Sequence, residues 1–468
     1  MPLVTFYFQL HQPFRLHPER GKFLWDDKNR AIFLKVAEKC YLPAIRMFTE
    51  LISAHPSFKI TFSMSGTFLE QAEMYRPEVI LALRELLDAG DKNDQIEYLD
   101  ETYYHSLTSL FEDPMKLEFR EQVSRHQEII KRLLGITPTS FRNTELMYNN
   151  SIADAVADMG YLSILCEKRD DMFLSKDKAI SPNAVFRAKG TKLIVIPRNR
   201  ELSDDIAFRF PHSRITPETY SRYIAQIDGE VVMMGYDFEH IGEHIWSNLG
   251  IFEFWRGLPD ALQQHESIIA ATPTEISQRF KHVECPILDI HSLATSSWAD
   301  AGRNTFGWLG NPTQYELFRD IEKMETAARR AGGEYLTQWR HLTTSDHVYF
   351  LHERTGDDHA VHSYFNPYDN SIARPTHVLT RKIDDLEAVI HRFEILKKRE
   401  TTAILIISPE TGRLPEDMGG LARFISGKSG GQGEVVSALC EGLTERGLDV
   451  HLAILNLKRR FQREVQMN

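Results

Sequence analysis

Apolar positions along this chain fall into two alternating patterns. Short, nearly continuous runs rich in β-branched and aromatic residues occur at Leu3–Leu10, Lys59–Ser63, Gln95–Leu99, Ser140–Asn143, Leu162–Cys166, Leu193–Pro197 and Val231–Tyr236, and each ends in a polar cluster. Between them, stretches such as Pro77–Leu87 and Met115–Leu134 carry apolar residues every three or four positions with charges between. A strand covered on both faces needs continuous apolar sequence, whereas a helix needs only one apolar stripe, so the alternation predicts an α/β fold with a parallel sheet. About seven such units favour a barrel over an open sheet, with reacting groups where strands end and loops begin. The polar clusters fall there: His11-Gln12-Pro13 after the first run, Glu101 to His105 after the third, Asn143-Thr144-Glu145 after the fourth, and Asp237 to His244 after the seventh.

From about residue 310 the spacing becomes helical, over Gln314–Ala331, Glu334–Leu342 and Arg381–Arg399, while Ser345–Glu353 is too aromatic for a plain surface helix. The tail changes again: Ala403–Ser408 reads as a buried strand, Gly419 to Gly433 is rich in glycine, Glu434–Arg446 is helical and Asp449–Leu455 is a second strand. One βαβ unit cannot cover both faces of its two strands, so it docks on the body or opens a further domain. The expected domains are residues 1–295, a barrel of about seven β/α units; 296–395, a helical domain; and 396–468, the short βαβ tail.

Charge narrows the partners. The 468 residues include 55 basic and 66 acidic side chains, a formal charge of −11, which disfavours nucleic acid. The apolar start has no positive lead and is broken by Gln9 and His11, so neither a secretory signal nor a membrane span is expected, and the cytoplasm is the expected compartment. Cys40, Cys166, Cys285 and Cys440 are too far apart to suggest a disulfide framework or a zinc knuckle. Aromatics such as Trp246, Trp298, Tyr103 and Tyr104 lie beside polar clusters, where they suit sugar faces or fill the core.

Cleavage of a glycosidic bond needs one ionised carboxylate and one protonated carboxyl group. Glu145, in FRNTELMYNN, stands among Arg142, Asn143, Asn149 and Asn150, donors that would keep it charged, and is the candidate nucleophile. Equally, it is an acid at a helix start after Thr144. Asp237 closes the most apolar run, where desolvation would retain its proton, and is the candidate acid/base. His240 and His244 nearby have the i, i+4 spacing of a metal site, but Ile241 replaces the glutamate that the zinc-protease motif places after its first histidine. His11 reads as a sugar-hydroxyl partner, a metal ligand or a structural imidazole.

With these residues assembled, the chain resembles glycoside hydrolase family 57, in its α-amylase-like branch, over roughly residues 1–395. The resemblance rests on HQPFRL at 11–16, QIEYLDETYYHSL at 95–107, FRNTEL at 141–146, GYDFEHIGEH at 235–244, and SSWADAGRNTFGWLGN at 296–311 with TSDHVYF at 344–350. It implies an incomplete (β/α)7 barrel followed by a helical domain, retention at the anomeric carbon and α-glucan substrates; two carboxylates suffice for that chemistry, so no cofactor or metal is expected. Glu145 then matches the nucleophile and Asp237 the acid/base, while His11, Glu97, Trp298 and Asp346 match positions that line or support the sugar site. Phe238 to Ile241 depart from the branch's usual residues. The tail resembles the opening of a starch or glycogen synthase domain, with Lys428, Gly430, Gly431 and Gly433 matching its loop and Gln432 replacing a leucine, so a fused or partner glucan synthase is implied. The expected activity is cleavage or transfer of α-1,4-glucan chains. The alternatives are a metal-dependent carbohydrate deacetylase using His11, Asp237, His240 or His244, and a non-catalytic glucan-binding module.

Overall fold

All seven apolar runs form strands: β1 (Leu3–Leu10), β2 (Ile60–Met64), β3 (Ile96–Leu99), β4 (Ser140–Arg142), β5 (Ser163–Cys166), β6 (Ile194–Pro197) and β7 (Val231–Asp237). The computed structural model describes residues 2–90, 94–169, 173–175, 178–213, 215–299, 302–353, 366–368, 372–399, 404–408, 438–439, 442–443 and 450–454.

Strands β7, β1, β2 and β3 pair in parallel in that order, and so do β4, β5 and β6. Single parallel bridges join the two sheets at both ends, Asp100 with Phe141 and Arg198 with Met233. The seven strands thus follow one cyclic order, consistent with a (β/α)7 barrel. A short strand, Phe186–Ala188, runs antiparallel to β6 and pairs in parallel with Ile287–Leu288.

Register decides which side chains face inward. In β1, Val4, Phe6, Phe8 and Leu10 pack in the outer core with Phe48, Phe62, Phe238 and Trp255, whereas Leu3 and Tyr7 join Leu99, Leu165, Ile196 and Met233 in an inner one. Both faces are therefore buried, which explains the unbroken apolar runs. Side chains alternate along a strand. Gln9, Ser63, Glu101, Arg142, Glu167, Arg198 and Asp237 continue the inward sets at the ends where the strands finish. Gly235, level with Tyr7, leaves little space: a Cβ there would sit 3.1 Å from the Tyr7 ring.

The helices follow the periodicity, at Glu78–Gly90, Leu117–Leu134 and Gly333–Leu342. The expected Gln314–Ala331 helix is two, Pro312–Lys323 and Glu325–Ala331, and the last long helix, Ala373–Arg399, starts earlier than expected because Val378 and Leu379 also belong to its buried stripe. Among the described residues no helix is long and apolar enough to cross a membrane.

By its contacts the chain forms two units, Met1–Thr326 with Gly332–Asp385, and Ala327–Ala331 with Leu386–Asn468. Of the residues expected as a helical domain, 296–326 and 332–385 fall in the unit that holds the strands, and 327–331 and 386–395 in the other; bridges tie Ser296 to Tyr148 and Thr344 to Ser106. In the second unit, Ile404–Ser408 and Val450–Ile454 pair in parallel. The glycine run 419–433, with its proposed loop residues, and most of the expected helix 434–446 lie outside the described residues.

Candidate active site

At the end of β4 the chain turns sharply, with the Leu146 N–H donating to the Asn143 carbonyl and the Met147 N–H to that of Thr144. Glu145 sits here at φ 56° and ψ 28°, left-handed backbone that a non-glycine residue adopts only when its surroundings hold it. What holds it is Trp298 N–H at 3.1 Å and Ser297 Oγ at 3.1 Å, both donating to the Glu145 carbonyl. The side chain receives Trp298 Nε1–H at 2.7 Å on one oxygen, and His105 Nε2 and Ser345 Oγ, each at 3.3 Å, on the other. Arg142 and Arg198 both lie over the Trp298 ring, 5.1 and 5.7 Å from its centroid, and fix the indole by cation–π attraction.

His105, also left-handed at φ 50°, bridges two acids: Nε2 to Glu145 and Nδ1 to Glu101 at 3.3 Å. Burial works against its charge, but the two carboxylates prevail and raise its pKa to about 9, so it is an imidazolium at neutral pH. Glu101 is fully buried, and burial alone would neutralise it. The hydrogen bond and charge of His105, with Arg142 and His126, instead lower its pKa to about 2. Gln9 Nε2 at 3.0 Å and Ser63 Oγ also donate to it. Glu145 behaves alike: burial pushes it up, while His105, Arg142 and Trp298 outweigh burial and hold its carboxyl below the ordinary range.

Asp237 ends β7 and meets the reverse conditions. Burial raises its pKa and the Glu145 charge adds to this, with only partial offset from His240, Arg142 and His105. The hydrogen bond from His240 Nδ1, 2.9 Å, goes to the Asp237 backbone carbonyl rather than to its carboxyl group.

His11 stacks on His105 with ring centroids 4.0 Å apart and planes 20° apart. Burial, and then the charge of His105, lower its pKa, so a neutral ring lies against a charged one. Its Nε2–H donates to Asp346 at 2.9 Å and its Nδ1 meets Ser65 Oγ at 2.7 Å. Burial opposes the ionisation of Asp346, yet His11 and His105 hold it well below the usual carboxylate range.

One cavity is lined by Glu145, Asp237, His11, Trp298 and Asp346, so five of the six site residues expected from sequence come together. Glu97 does not join them. It is the second residue of β3, and its carboxylate accepts from the Thr274 N–H at 2.9 Å and Thr274 Oγ1 at 2.8 Å. It faces inward like Glu101 but lies on the other side of Leu99, roughly 13 Å down the strand. Sequence reasoning had not assigned His105 and Arg198, which also line the cavity. The signal for Arg198 was its register, two residues beyond the inward Ile196; for His105 it was the four-residue spacing from Glu101.

Among the described residues no group of three or more His, Cys, Asp or Glu side chains is arranged to hold a metal ion. The set His11, Asp237, His240 and His244 does not converge: His11 is engaged by Asp346 and Ser65, and His240 by the Asp237 carbonyl.

Parallel strands in cyclic order, with acids of opposite tendency at their C-terminal ends, define an α/β enzyme of the barrel type. The chain belongs to glycosyl hydrolase family 57, whose sequence model matches residues 5–290, and it is a glycoside hydrolase. It is 36% identical over 390 residues, 78% of this chain and 80% of the relative, to a protein of Methanocaldococcus jannaschii named "Putative alpha-amylase". In fold it is similar to a family 57 branching enzyme from Thermococcus kodakaraensis, with a TM-score of 0.62 and 13% identity over 85% of this chain and 94% of that one. A 4-alpha-glucanotransferase from Thermococcus litoralis is similar at a TM-score of 0.56 and 17% identity, over 74% of this chain and 56% of that one.

Proposed function

We propose that this chain cleaves or transfers α-1,4-linked glucan chains with retention of configuration, Glu145 acting as nucleophile and Asp237 as acid/base. The observation that carries this reading is the opposed tendency of two carboxyl groups lining one cavity: donors hold Glu145 below the ordinary carboxylate range and burial pushes Asp237 above it. In the first step a Glu145 oxygen attacks the anomeric carbon, the bond to the leaving oxygen breaks, and Asp237 gives that oxygen its proton. In the second, Asp237 takes a proton from water or a sugar hydroxyl, which displaces Glu145; water gives hydrolysis and the sugar gives transfer. His105 keeps Glu145 charged and directed, and His11, Trp298 and Asp346 surround the sugar. The names of the relatives, an alpha-amylase, a branching enzyme and a 4-alpha-glucanotransferase, share α-glucan as the object of their chemistry.

Incubation with maltoheptaose, followed by chain-length analysis and by NMR of the first product formed, tests the reading. Redistributed or shortened chains carrying the α-anomer are expected. A β-anomer as first product would overturn retention, and no change in any α-glucan would overturn the substrate class. For residues 396–468 the reading as the opening of a synthase-type domain is likewise a proposal, supported by the parallel strand pair.

A further inference from the structure

Beyond the catalytic cavity, a second groove of about 850 Å³ lies between the segment Glu38–Glu50 and the loop that leaves β7. That volume is within the ordinary range for small-molecule sites. The loop has two sides: Glu239 and His240 line the catalytic cavity, while Gly242 and Trp246 line the groove.

The loop is built to hold its shape. Gly242, at φ 108°, packs so closely on the Lys39 carbonyl that a Cβ would collide with it, and its N–H donates to the Ile245 carbonyl at 3.0 Å. The buried Glu243 carboxylate pairs with Lys35 at 2.5 Å and lies 3.9 Å from Lys39. Ile241 and Ile245 are buried in the outer core. The next residue, Trp246, is then 62% exposed, with Phe252 beside it in the same groove. A large indole is thus presented to water by a pinned loop, and it shares the groove with a second aromatic, Phe252.

The charges around it narrow the ligand. Glu38, Glu50 and Glu253 are matched by Lys39, Arg46 and Arg256, and Arg256 pairs with Glu50 at 2.6 Å. A groove with balanced charge has no net attraction for a polyanion or a cation, whereas an indole face among charges of both signs, Ser247 and Asn248 fits a neutral molecule with an apolar face and hydroxyl edges. Trp246 is nine residues beyond Asp237, so the two are at most roughly 32 Å apart along the chain.

We propose that this groove is a second, non-catalytic binding site for an α-glucan segment, with Trp246 as its stacking platform. This rests on the α-glucan reading of the catalytic cavity. A polymer held at the groove keeps its other segments near Asp237 and raises their effective concentration there.

The test uses the full chain as Glu145→Gln, which holds glucan without turning it over, with and without Trp246→Ala, in affinity electrophoresis through amylopectin and glycogen. A gel containing a β-linked glucan is the control, and Trp246→Phe is the conservative variant. Trp246→Ala is expected to weaken retardation about tenfold, as loss of one aromatic face implies, and Trp246→Phe to restore most of it. In the Glu145-intact enzyme, Trp246→Ala should lower kcat/KM on amylopectin relative to maltotriose. Retardation unchanged by Trp246→Ala, while the Glu145-intact enzyme cleaves α-glucan, would overturn the groove assignment alone. No retardation in any gel, with no cleavage of any α-glucan, would overturn the catalytic reading and the groove with it. A change in oligomeric state on Trp246→Ala without a change in retardation would make the groove a contact between copies and overturn the glucan assignment.

Discussion

Glu145 and Asp237 end strands on different sheets of the same barrel-like core and are treated in opposite ways. The β4 end is crowded with donors: His105, Trp298 and Ser345 reach the Glu145 carboxylate, and the Trp298 N–H and Ser297 reach its carbonyl. The β7 end receives burial and a neighbouring negative charge, while the hydrogen bond from His240 goes to the backbone. Both groups are desolvated, so burial does not separate them. Donors do: a carboxylate that accepts hydrogen bonds from charged and polar donors is pushed toward ionisation despite burial, and one without them is pushed the other way.

The strongest way to break this comparison is Glu145→Gln. An amide cannot form the glycosyl ester, so turnover should fall on the order of 10⁴-fold or more while circular dichroism and melting remain native-like. Near-normal activity would move the nucleophile, with Glu101 the next candidate. Asp237→Asn should cost on the order of 10²–10⁴ on natural glucans, and less on substrates whose leaving groups need no proton. An equal loss on both substrate types would remove Asp237 from the acid role.

His105→Asn sharpens the comparison, because it strips the cation from one side only. A loss of kcat on the order of 10²-fold is expected from misplacement of Glu145. The acid limb of the kcat/KM profile should also move to higher pH, since the native imidazolium is what depresses Glu145. The same group predicts the pH dependence of folding. Glu101 drops from 4.5 to about 2 in the folded protein, so its stabilisation is present above pH 4.5 and lost as pH falls toward 2. His105 rises from 6.5 to about 9, so its contribution is present below pH 6.5 and lost as pH rises through 9. The urea midpoint should therefore be highest between these windows, and His105→Asn should remove the alkaline decline. An unaltered alkaline decline in the variant would assign it to other groups.

The smallest effect is expected for Glu97→Gln. Its carboxylate serves Thr274 rather than the cavity, so kcat and KM should be unchanged while the melting temperature shifts modestly. A selective loss of kcat would place Glu97 with Glu101 in the site.

Much of this is legible in the sequence. The seven strands could be read because burial on both faces leaves continuous apolar runs, and the helices because one buried stripe leaves a 3.6-residue period. Glu145 and Asp237 stood out as acids directly after such runs. The pairing of His105 with both Glu101 and Glu145 was not legible: it joins residues 40 apart through left-handed backbone at both His105 and Glu145, which no periodicity announces. Nor was the separation of Glu97 from Glu101. The two are four residues apart on one inward face, and only the folded partners, Thr274 for Glu97 and His105 for Glu101, show that they serve different environments.

By itself the sequence determined the alternation of strands and helices, the inward parity of each strand and the identity of the acids at strand ends, because these depend on local pattern and on which residues must be buried. Tertiary structure alone decided which acid is pushed toward ionisation and which away from it. That choice depends on donors brought from Trp298, Ser345 and His105, segments up to 200 residues from Glu145, and a charge at short range in a dry site is governed by what lies around it in space rather than along the chain.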